Sequence, residues 1–481
     1  MFYHSTRSVS NPVDSAQAVL EGLAPDGGLY MPESLPVFDW HACLKGTSMD
    51  MATMILSALL PDIPNMPELV KKAYTGKFET EDLTPTVSVG DFGVLELFRG
   101  PTSAFKDVAL SMLPQLLTAA KTAKGMKEDI MILTATSGDT GKAALEGFHD
   151  VDGIRITVFY PYGGVSQVQR AQMVTQEGGN VAVCAVYGNF DDAQTGVKNI
   201  FSACRGKELP FALSSANSIN IGRLAPQIMY YFRSYRDLLD AGKIQLGDEV
   251  NFSVPTGNFG DILAGYLAKQ LGLPVGTLIC ASNANNVLTD FIRTGTYDRQ
   301  RPLLKTTSPS MDILVSSNLE RLLYLLSGDT ALVADLMGKL NKEGAYTVPA
   351  HLLEKIQQEF WAAYCDDKRA DEIMGRVYRE LGYLCDPHTA SGWAAAEDYI
   401  AETGDKRAMV VLSTASPYKF PVAVLTAIGG DTSGNEFEQM ERLSRLSGVP
   451  IPKNLSGLQG KEEKHTGVIE KDAMLEYVLN L

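Results

Sequence analysis

A lysine at position 106 stands where a reactive amine could be held. It follows the small and turn-forming residues of LFRGPTSAF and precedes an apolar helical pattern at Val108, Leu110 and Met112. Most lysines are solvated surface residues, so this position alone indicates no chemistry. A functional role for Lys106 therefore depends on whether other motifs supply partners for its amine.

The segment SVPTGNFGDILAGYLAKQLG, residues 253–272, has the pattern of an anion-binding turn. An apolar strand ends at Pro255, and a short loop leads directly into an amphipathic helix. Gly257 and Gly260 allow backbone N–H groups to approach an anion, and the start of a helix favours a phosphate. The alternative is an ordinary strand–helix turn whose glycines serve only the backbone geometry.

A second strand–loop–helix turn is ATSGDTGKAALEGF, residues 135–148. It is not a nucleotide-binding P-loop, because only two residues separate Gly138 from Gly141 and Ala143 stands where a metal-binding hydroxyl is required. Ser137, Thr140 and the nearby N–H groups could instead hold a carboxylate. A capped helix start explains the same residues equally well.

A third polar segment, SSANSINIGRLAPQ, covers residues 214–227. It places Asn217, Ser218, Asn220 and Arg223 close together, which is more hydrogen-bond donors than a loop needs. A guanidinium can bind a phosphate through two parallel N–H bonds. An exposed polar loop remains the alternative for this segment.

One lysine and several anion-binding turns together match the needs of a particular cofactor. The aldehyde of pyridoxal phosphate forms a Schiff base with a lysine amine, and a helix N-terminus can anchor its phosphate. The combination predicts a pyridoxal-phosphate enzyme that acts on an anionic substrate, with Lys106 bound to the cofactor.

The composition is that of a soluble globular protein with more than one domain. The chain has 481 residues, 45% of them hydrophobic, and a formal net charge of -15. This charge disfavours non-specific binding to nucleic acids or anionic membranes. The N-terminus has no secretory pattern and no apolar run is long enough to span a membrane. The six cysteines are scattered, which favours reduced thiols and a cytoplasmic location. Neither they nor the six histidines show metal-ligand spacing.

Apolar strands alternate with helical segments along most of the chain. Strand patterns occur at 129–138, 154–161, 180–188, 277–282 and 407–420. Strands that alternate with helices predict parallel sheets flanked by helices, and therefore an α/β fold.

With these motifs in hand, the chain resembles the threonine synthases over essentially its whole length. These belong to a pyridoxal-phosphate family that includes tryptophan synthase β and the serine/threonine dehydratases. The resemblance is carried by YHSTR…VLEGLAPDGGLYMPE, FRGPTSAFKD, SGDTGKAA, PTGNFGD and LSTASPYKF. Two motifs depart from the usual family pattern: STRSVS lacks the Arg-Gly often found there, and ASPYKF stands where many relatives have AHPAKF.

The resemblance implies a role for individual residues. It makes Lys106 the catalytic, cofactor-bound lysine. The cofactor-binding residues that it implies are Gly257, Asn258, Phe259, Gly260, Asp261, Thr414 and Asp139, with Thr414 at the ring nitrogen. The substrate-binding residues that it implies are Thr102, Ser137, Thr140, Asn217, Ser218 and Arg223, the last three for the substrate's phosphate.

The resemblance also implies fold, reaction and organisation. The fold is the tryptophan synthase β-like α/β architecture (fold type II) with an N-terminal accessory domain. The reaction is the conversion of O-phospho-L-homoserine and water to L-threonine and phosphate, by a monomer or weak dimer. The expected units are an N-terminal domain (1–90), a large cofactor domain (91–125 and 215–430), a small mobile domain (126–214), and a C-terminal segment (431–481) packed on the large domain.

Two other interpretations remain open. A serine/threonine dehydratase or a cysteine-synthase-like β-replacement enzyme would use the same fold, but a dehydratase has no substrate phosphate for Arg223 to hold. A non-catalytic relative that binds phosphorylated ligands would not need Lys106. A yellow colour of the pure protein, from the lysine-bound cofactor, separates that relative from an enzyme.

Overall fold

The computed structural model describes residues 1–136, 138–204, 207 and 209–481, apart from the side chain of Asp191. Within these residues the strands are β1 (Phe2–Ser5), β2 (Ser8–Asp14), β3 (Tyr30–Pro32), β4 (Thr86–Val89), β5 (Phe92–Glu96), β6 (Asp129–Ala135), β7 (Ile154–Pro161), β8 (Val181–Val186), β9 (Phe211–Ser214), β10 (Val250–Pro255), β11 (Val275–Ser282), β12 (Thr296–Asp298), β13 (Ala345–Thr347), β14 (Phe360–Tyr364), β15 (Ala408–Ser413) and β16 (Val468–Ile469).

The α-helices within the same residues are α1 (Ser15–Glu21), α2 (Trp40–Cys43), α3 (Ser48–Leu59), α4 (Met66–Tyr74), α5 (Lys106–Ala123), α6 (Asp139–Phe148), α7 (Gln167–Val174), α8 (Phe190–Cys204), α9 (Ile221–Leu224), α10 (Met229–Asp240), α11 (Gly260–Gln270), α12 (Val287–Thr294), α13 (Leu319–Ser327), α14 (Thr330–Glu343), α15 (Ala350–Glu359), α16 (Asp367–Leu381), α17 (Pro387–Thr403), α18 (Pro421–Ile428), α19 (Glu436–Ser447), α20 (Lys453–Ser456) and α21 (Met474–Leu479).

The N-terminal part is a small sheet with strand order β2-β1-β3, followed by α2, α3 and α4. Helix α1 begins at a side-chain cap, since Asp14 accepts a hydrogen bond from the Gln17 N–H. Helix α3 begins with a reciprocal cap between Thr47 and Asp50. These caps define where the two helices begin.

The large sheet has the strand order β14-β11-β10-β15-β5-β4. Its strands are parallel, except for the edge strand β4, which pairs with β5 in antiparallel fashion. Every residue of the central strand β10 is buried because helices such as α11 and α17 pack against it. Residues 86–89 lie in the segment expected to form the N-terminal domain, yet as β4 they belong to this sheet.

The small sheet has the strand order β16-β8-β7-β6-β9, and all of its pairings are parallel. Strands β6 to β9 come from residues 129–214. The fifth strand, β16, comes from residues 431–481, the segment expected to pack on the large domain, so part of that segment belongs to the small sheet. The reason is apolar contact, because Met474 and Val478 of α21 complete the core that covers one face of the small sheet.

Helix α5 begins at Lys106 and packs against α6, the first helix of the small domain. The two helices approach closely at Gly147, where a Cβ atom would lie only 2.0 Å from the Leu110 carbonyl oxygen. This contact places the last turn of α6 against the second turn of α5.

Candidate active site

The turn that precedes Lys106 is fixed against the end of β15. The Phe105 N–H donates to the Thr414 carbonyl (2.8 Å), and the Ser416 N–H donates to the Ser103 carbonyl (3.1 Å). The carboxylate of Asp107 accepts hydrogen bonds from the backbone N–H of Thr102 (2.9 Å) and from its hydroxyl. The hydroxyl of Thr102 is thus engaged within the turn, and its predicted contact with the substrate remains a prediction.

Lys106 is the first residue of α5 and its side chain is buried. Burial, the largest effect, lowers the pKa of its amine from 10.5 to about 8. Asp139 and Asp261 raise the pKa, whereas Lys419 and Arg223 lower it. These four residues come from separate parts of the chain. Three of them, all except Lys419, were predicted as site residues from the sequence.

Lys419 is the residue of this cluster that sequence reasoning missed. Its ammonium group forms an ion pair with Asp139 (2.6 Å) and donates to the Thr102 carbonyl (3.1 Å). The Lys419 side chain is 1% exposed, so the pair is screened little by water. The only signal in the sequence was its place in the motif LSTASPYKF, five residues after Thr414.

Asp139 is the first residue of α6, and its two carboxylate oxygens differ in their hydrogen bonding. Its Oδ1 accepts from Lys419 and from the Gln169 amide (3.0 Å), whereas its buried Oδ2 has no partner within the described residues. Burial raises the pKa of Asp139, but Lys419 and Lys106 outweigh it and hold the pKa well below its usual value. The free oxygen of an ionised carboxylate is thus available to a donor on a bound molecule.

The loop before α6 is only partly described. Gly138 has φ +143°, a conformation that favours glycine, and its N–H donates to the Thr136 hydroxyl (3.0 Å). Thr140 is half-buried in the first turn of α6. Ser137, predicted to bind the substrate's carboxylate, lies outside the described residues.

The predicted phosphate loop joins β10 to α11 through Gly257, Asn258 and Phe259, the last with φ +64°. The N–H groups of residues 257–260 precede the first intrahelical bond of α11, in which Leu263 donates to the Phe259 carbonyl (3.2 Å). Gly257 must be small here, since a Cβ atom would lie 2.7 Å from the Ser310 carbonyl oxygen. This geometry suits a phosphate held by backbone N–H groups at a helix start.

Asp261 is the second residue of α11, beside this loop, where a second negative charge would repel a phosphate. Burial raises the pKa of its carboxyl group to about 7. Part of the population is therefore neutral near neutral pH, and this reduces the repulsion. Its Oδ1 accepts from the Ile262 N–H (2.9 Å).

Arg223 lies on α9 and is 3% exposed. One terminal nitrogen donates to the Ala216 carbonyl (2.7 Å). Within the described residues its buried Nε has no hydrogen-bond partner, and the guanidinium has no acidic partner. Burial lowers its pKa to about 10, so it stays charged at neutral pH. A buried cation without an anion is a strong candidate for an anion-binding group. The neighbouring Asn217 and Ser218 are half-buried.

Thr414 follows β15, and its side chain is 5% exposed. Its carbonyl accepts from Phe105, which places it beside the turn that carries Lys106. This position agrees with a role close to a lysine-bound ring.

These residues fit pyridoxal phosphate by their own chemistry. Lys106 offers a buried amine of lowered pKa, residues 257–260 offer N–H groups at a helix start, and Asp139 offers an oxygen without a hydrogen-bond partner among the described residues. The described part of the chain has no group of three or more His, Cys, Asp or Glu residues that could hold a metal ion. No helix among the described residues is long and apolar enough to cross a membrane.

Comparison with protein families agrees with this site. A family model described as "Threonine synthase N terminus" matches residues 2–74, and one described as "Pyridoxal-phosphate dependent enzyme" matches residues 81–414. A third, described as "Threonine synthase, C-terminal", matches residues 389–478.

The names of individual relatives also contain the words threonine synthase. The chain is 38% identical to threonine synthase of Pseudomonas aeruginosa, over 97% of this chain and 98% of that one. It is 39% identical to human "Threonine synthase-like 1", over 86% of this chain but only 58% of the human protein. The chain thus matches a little under three fifths of the length of that human relative.

A solved structure, described as pyridoxal-phosphate-bound threonine synthase from Brucella melitensis, superimposes with a TM-score of 0.88. It is 37% identical to the chain and the match covers 100% of this chain and 99% of that one. This similarity confirms the predicted fold class, an α/β pyridoxal-phosphate architecture with an N-terminal accessory domain. The chain belongs to the threonine synthase family of pyridoxal-phosphate-dependent enzymes.

Proposed function

We propose that this chain converts O-phospho-L-homoserine and water to L-threonine and phosphate, with pyridoxal phosphate bound to Lys106. The observation that carries the proposal is the buried guanidinium of Arg223, which lowers the pKa of the Lys106 amine and has no acidic partner in the described chain. A dehydratase of the same fold has no substrate phosphate that would require such a cation.

Lys106 would bind the cofactor, and the N–H groups of residues 257–260 would hold its phosphate. Asp139 and Thr414 would lie beside its ring, and the neutral hydroxyl of Thr414 would leave the ring nitrogen unprotonated. When bound, the cofactor supplies delocalisation of the electron pair that remains on the substrate's α carbon after proton removal.

Lys106 would act as the base. Once the substrate's amine has displaced it, its own amine is free in a buried site, and a pKa of about 8 leaves a useful neutral fraction near neutral pH. It takes the α proton, and a second proton must then leave the β carbon so that phosphate can leave from the γ carbon. Protonation at the γ carbon, addition of water at the β carbon with loss of one water proton, and return of a proton to the α carbon complete threonine.

Arg223 and Ser218 would stabilise the phosphate as it leaves, because negative charge grows on it in that step. Arg223 suits this role because no carboxylate in the described chain neutralises it, and its Nε remains available for a second hydrogen bond. Asn217 would contribute its amide from the same loop.

The test is the release of threonine and phosphate from O-phospho-L-homoserine by the purified protein. Equal amounts of the two products are expected. L-Serine and L-threonine are incubated in parallel, and keto-acid formation without phosphate release would assign the chain to the dehydratases. A protein that is yellow but produces none of these would contradict both activities.

We also propose a cytoplasmic location and a monomeric or weakly dimeric state. All six cysteines are unpaired and buried, which supports a reducing compartment. Light scattering of the purified protein across a concentration series tests the oligomeric state, and a stable tetramer would contradict it.

A further inference from the structure

Arg321 is a fully buried arginine outside the residues considered so far. It lies in the first turn of α13, and its guanidinium donates to uncharged oxygens alone among the residues that the structure describes. Nη2 donates to the Ile219 carbonyl (2.6 Å), Nη1 donates to the Asn318 side-chain oxygen (2.5 Å), and both Nε and Nη2 reach the Tyr30 carbonyl (3.2 Å each).

These acceptors belong to three different parts of the molecule. Tyr30 is in β3 of the N-terminal sheet, and Ile219 lies in the loop that carries Ser218 and leads into α9, the helix of Arg223. Asn318 donates from its backbone (3.1 Å) and from its side chain (3.2 Å) to the carbonyl of Asn258. One guanidinium therefore connects the candidate substrate-phosphate loop with the candidate cofactor-phosphate loop.

This position is energetically unfavourable for a cation. Burial lowers the pKa of Arg321 to about 10, and the start of a helix disfavours positive charge. The adjacent carboxylate of Glu320 is already engaged, because it accepts from Arg7 (2.8 Å twice) and from Thr6 (2.6 Å). An aliphatic side chain could fill this buried position without the cost of a charge. The property that distinguishes arginine here is its planar set of N–H donors, which reaches several acceptors at once.

We propose that Arg321 is a positioning residue that couples the two phosphate sites, so that an anion bound at one strengthens binding at the other. The identity of the two anions rests on the proposed function; the coupling itself does not. The planar guanidinium fixes the Ile219 carbonyl and the Asn318 side chain in one geometry. An anion that orders either loop therefore orders the other, and the effect must be equal in both directions.

The experiment measures how fast the cofactor leaves the holoenzyme, with and without inorganic phosphate. The diluted holoenzyme is mixed with an excess of a cofactor scavenger, and loss of the visible band gives the rate. In the wild type, inorganic phosphate at the substrate site is expected to slow release about fivefold or more, the usual lower range of such coupling.

Three variants locate the effect. R321M removes the fork and should abolish the effect of phosphate, and R321K should also abolish it because an ammonium group keeps the charge but cannot join both loops. R223M should abolish it by removing the phosphate site itself. The matched control is R236M, because Arg236 also donates to a carbonyl of the N-terminal domain, that of Leu44, but bonds to neither loop.

The proposal is overturned if inorganic phosphate does not slow cofactor release from the wild type. It is also overturned if phosphate still slows release from R321M or R321K, or no longer slows it from R236M. Persistence of the effect in R223M would place the phosphate elsewhere and also overturn the proposal. If R321M does not fold, N318A tests the same connection from the cofactor side and should lose the effect. The release assay needs no turnover. A protein whose cofactor release is slowed by phosphate but that makes no threonine would therefore contradict the proposed function and leave the coupling intact.

Discussion

Replacement of Lys419 by methionine tests the electrostatic account of the candidate active site. Methionine has a similar length but no charge, so Asp139 would lose its ion-pair partner at 2.6 Å. Removal of one member of a buried pair typically costs about 3–5 kcal/mol. Lys106 is the other cation whose charge acts on Asp139, and Asp139 already favours the protonated form of its amine. The pKa of Lys106 should therefore rise.

The size of the effect follows from the starting pKa of Lys106. A value of about 8 leaves about half of the amine neutral at pH 8. A rise of one unit leaves about one in eleven neutral, and a return to the ordinary 10.5 leaves about one in 300. Since only the neutral amine can take a proton, K419M should lower kcat at pH 8 by roughly 5-fold to 150-fold, with recovery at higher pH.

The assay is the pH dependence of kcat for phosphate release, with K419R as the matched variant that keeps the charge. The wild-type rate should rise with pH to a plateau with a midpoint near 8, because the amine becomes neutral above its pKa. The midpoint of K419M should move to higher pH and that of K419R should stay near 8. An equal loss of rate at every pH, with an unmoved midpoint, would refute this reasoning and leave Lys419 a purely structural role.

Three further substitutions test the site. K106A should abolish both turnover and the visible band of the bound cofactor, as measured by product release and absorbance; retained turnover would contradict the assignment. R223M should reduce kcat/KM for O-phospho-L-homoserine by roughly 100-fold or more, the loss of about 3 kcal/mol expected for a charged hydrogen bond in a buried site, while cofactor absorbance stays unchanged; loss of the band as well would indicate a collapsed site. G257A should raise the Kd of pyridoxal phosphate at least tenfold, because its Cβ atom would lie 2.7 Å from the Ser310 carbonyl oxygen; a titration that gives the wild-type Kd would show that the loop accommodates the methyl group.

The parts of the site that are local in sequence could be predicted. The loop at Gly257 and the turn at Gly138 each combine the end of a strand with the start of a helix, and this pattern is visible in a few consecutive residues. Lys106 and Arg223 were identified by their motifs, and the structure places both in one charge cluster. Thr414 was identified by resemblance and lies beside the same turn.

The parts that depend on distant contacts could not be predicted. Lys419 and its partner Asp139 are separated by most of the chain, and a lone lysine after a proline and a tyrosine is indistinguishable from a surface residue. Arg321 lies in a short amphipathic helix, where its sequence position indicates neither burial nor the loops that it joins. Strand β16 has two residues, too few for an alternating pattern to be recognised.

The pairing of β16 with β8 has a mechanical consequence for the small sheet. The Ala185 N–H donates to the Gly467 carbonyl (2.9 Å) and the Tyr187 N–H to the Ile469 carbonyl (3.0 Å), so the end of the chain is bonded to a strand far from it in sequence. The backbone therefore enters this sheet before β6, leaves it after β9, and returns at β16. The small sheet is thus connected to the rest of the chain at three places, before β6, after β9 and at β16. It can rotate as a unit only about an axis that passes close to all three connections. Any movement of the small sheet away from the large sheet must follow that axis, or it must first break the hydrogen bonds between β16 and β8.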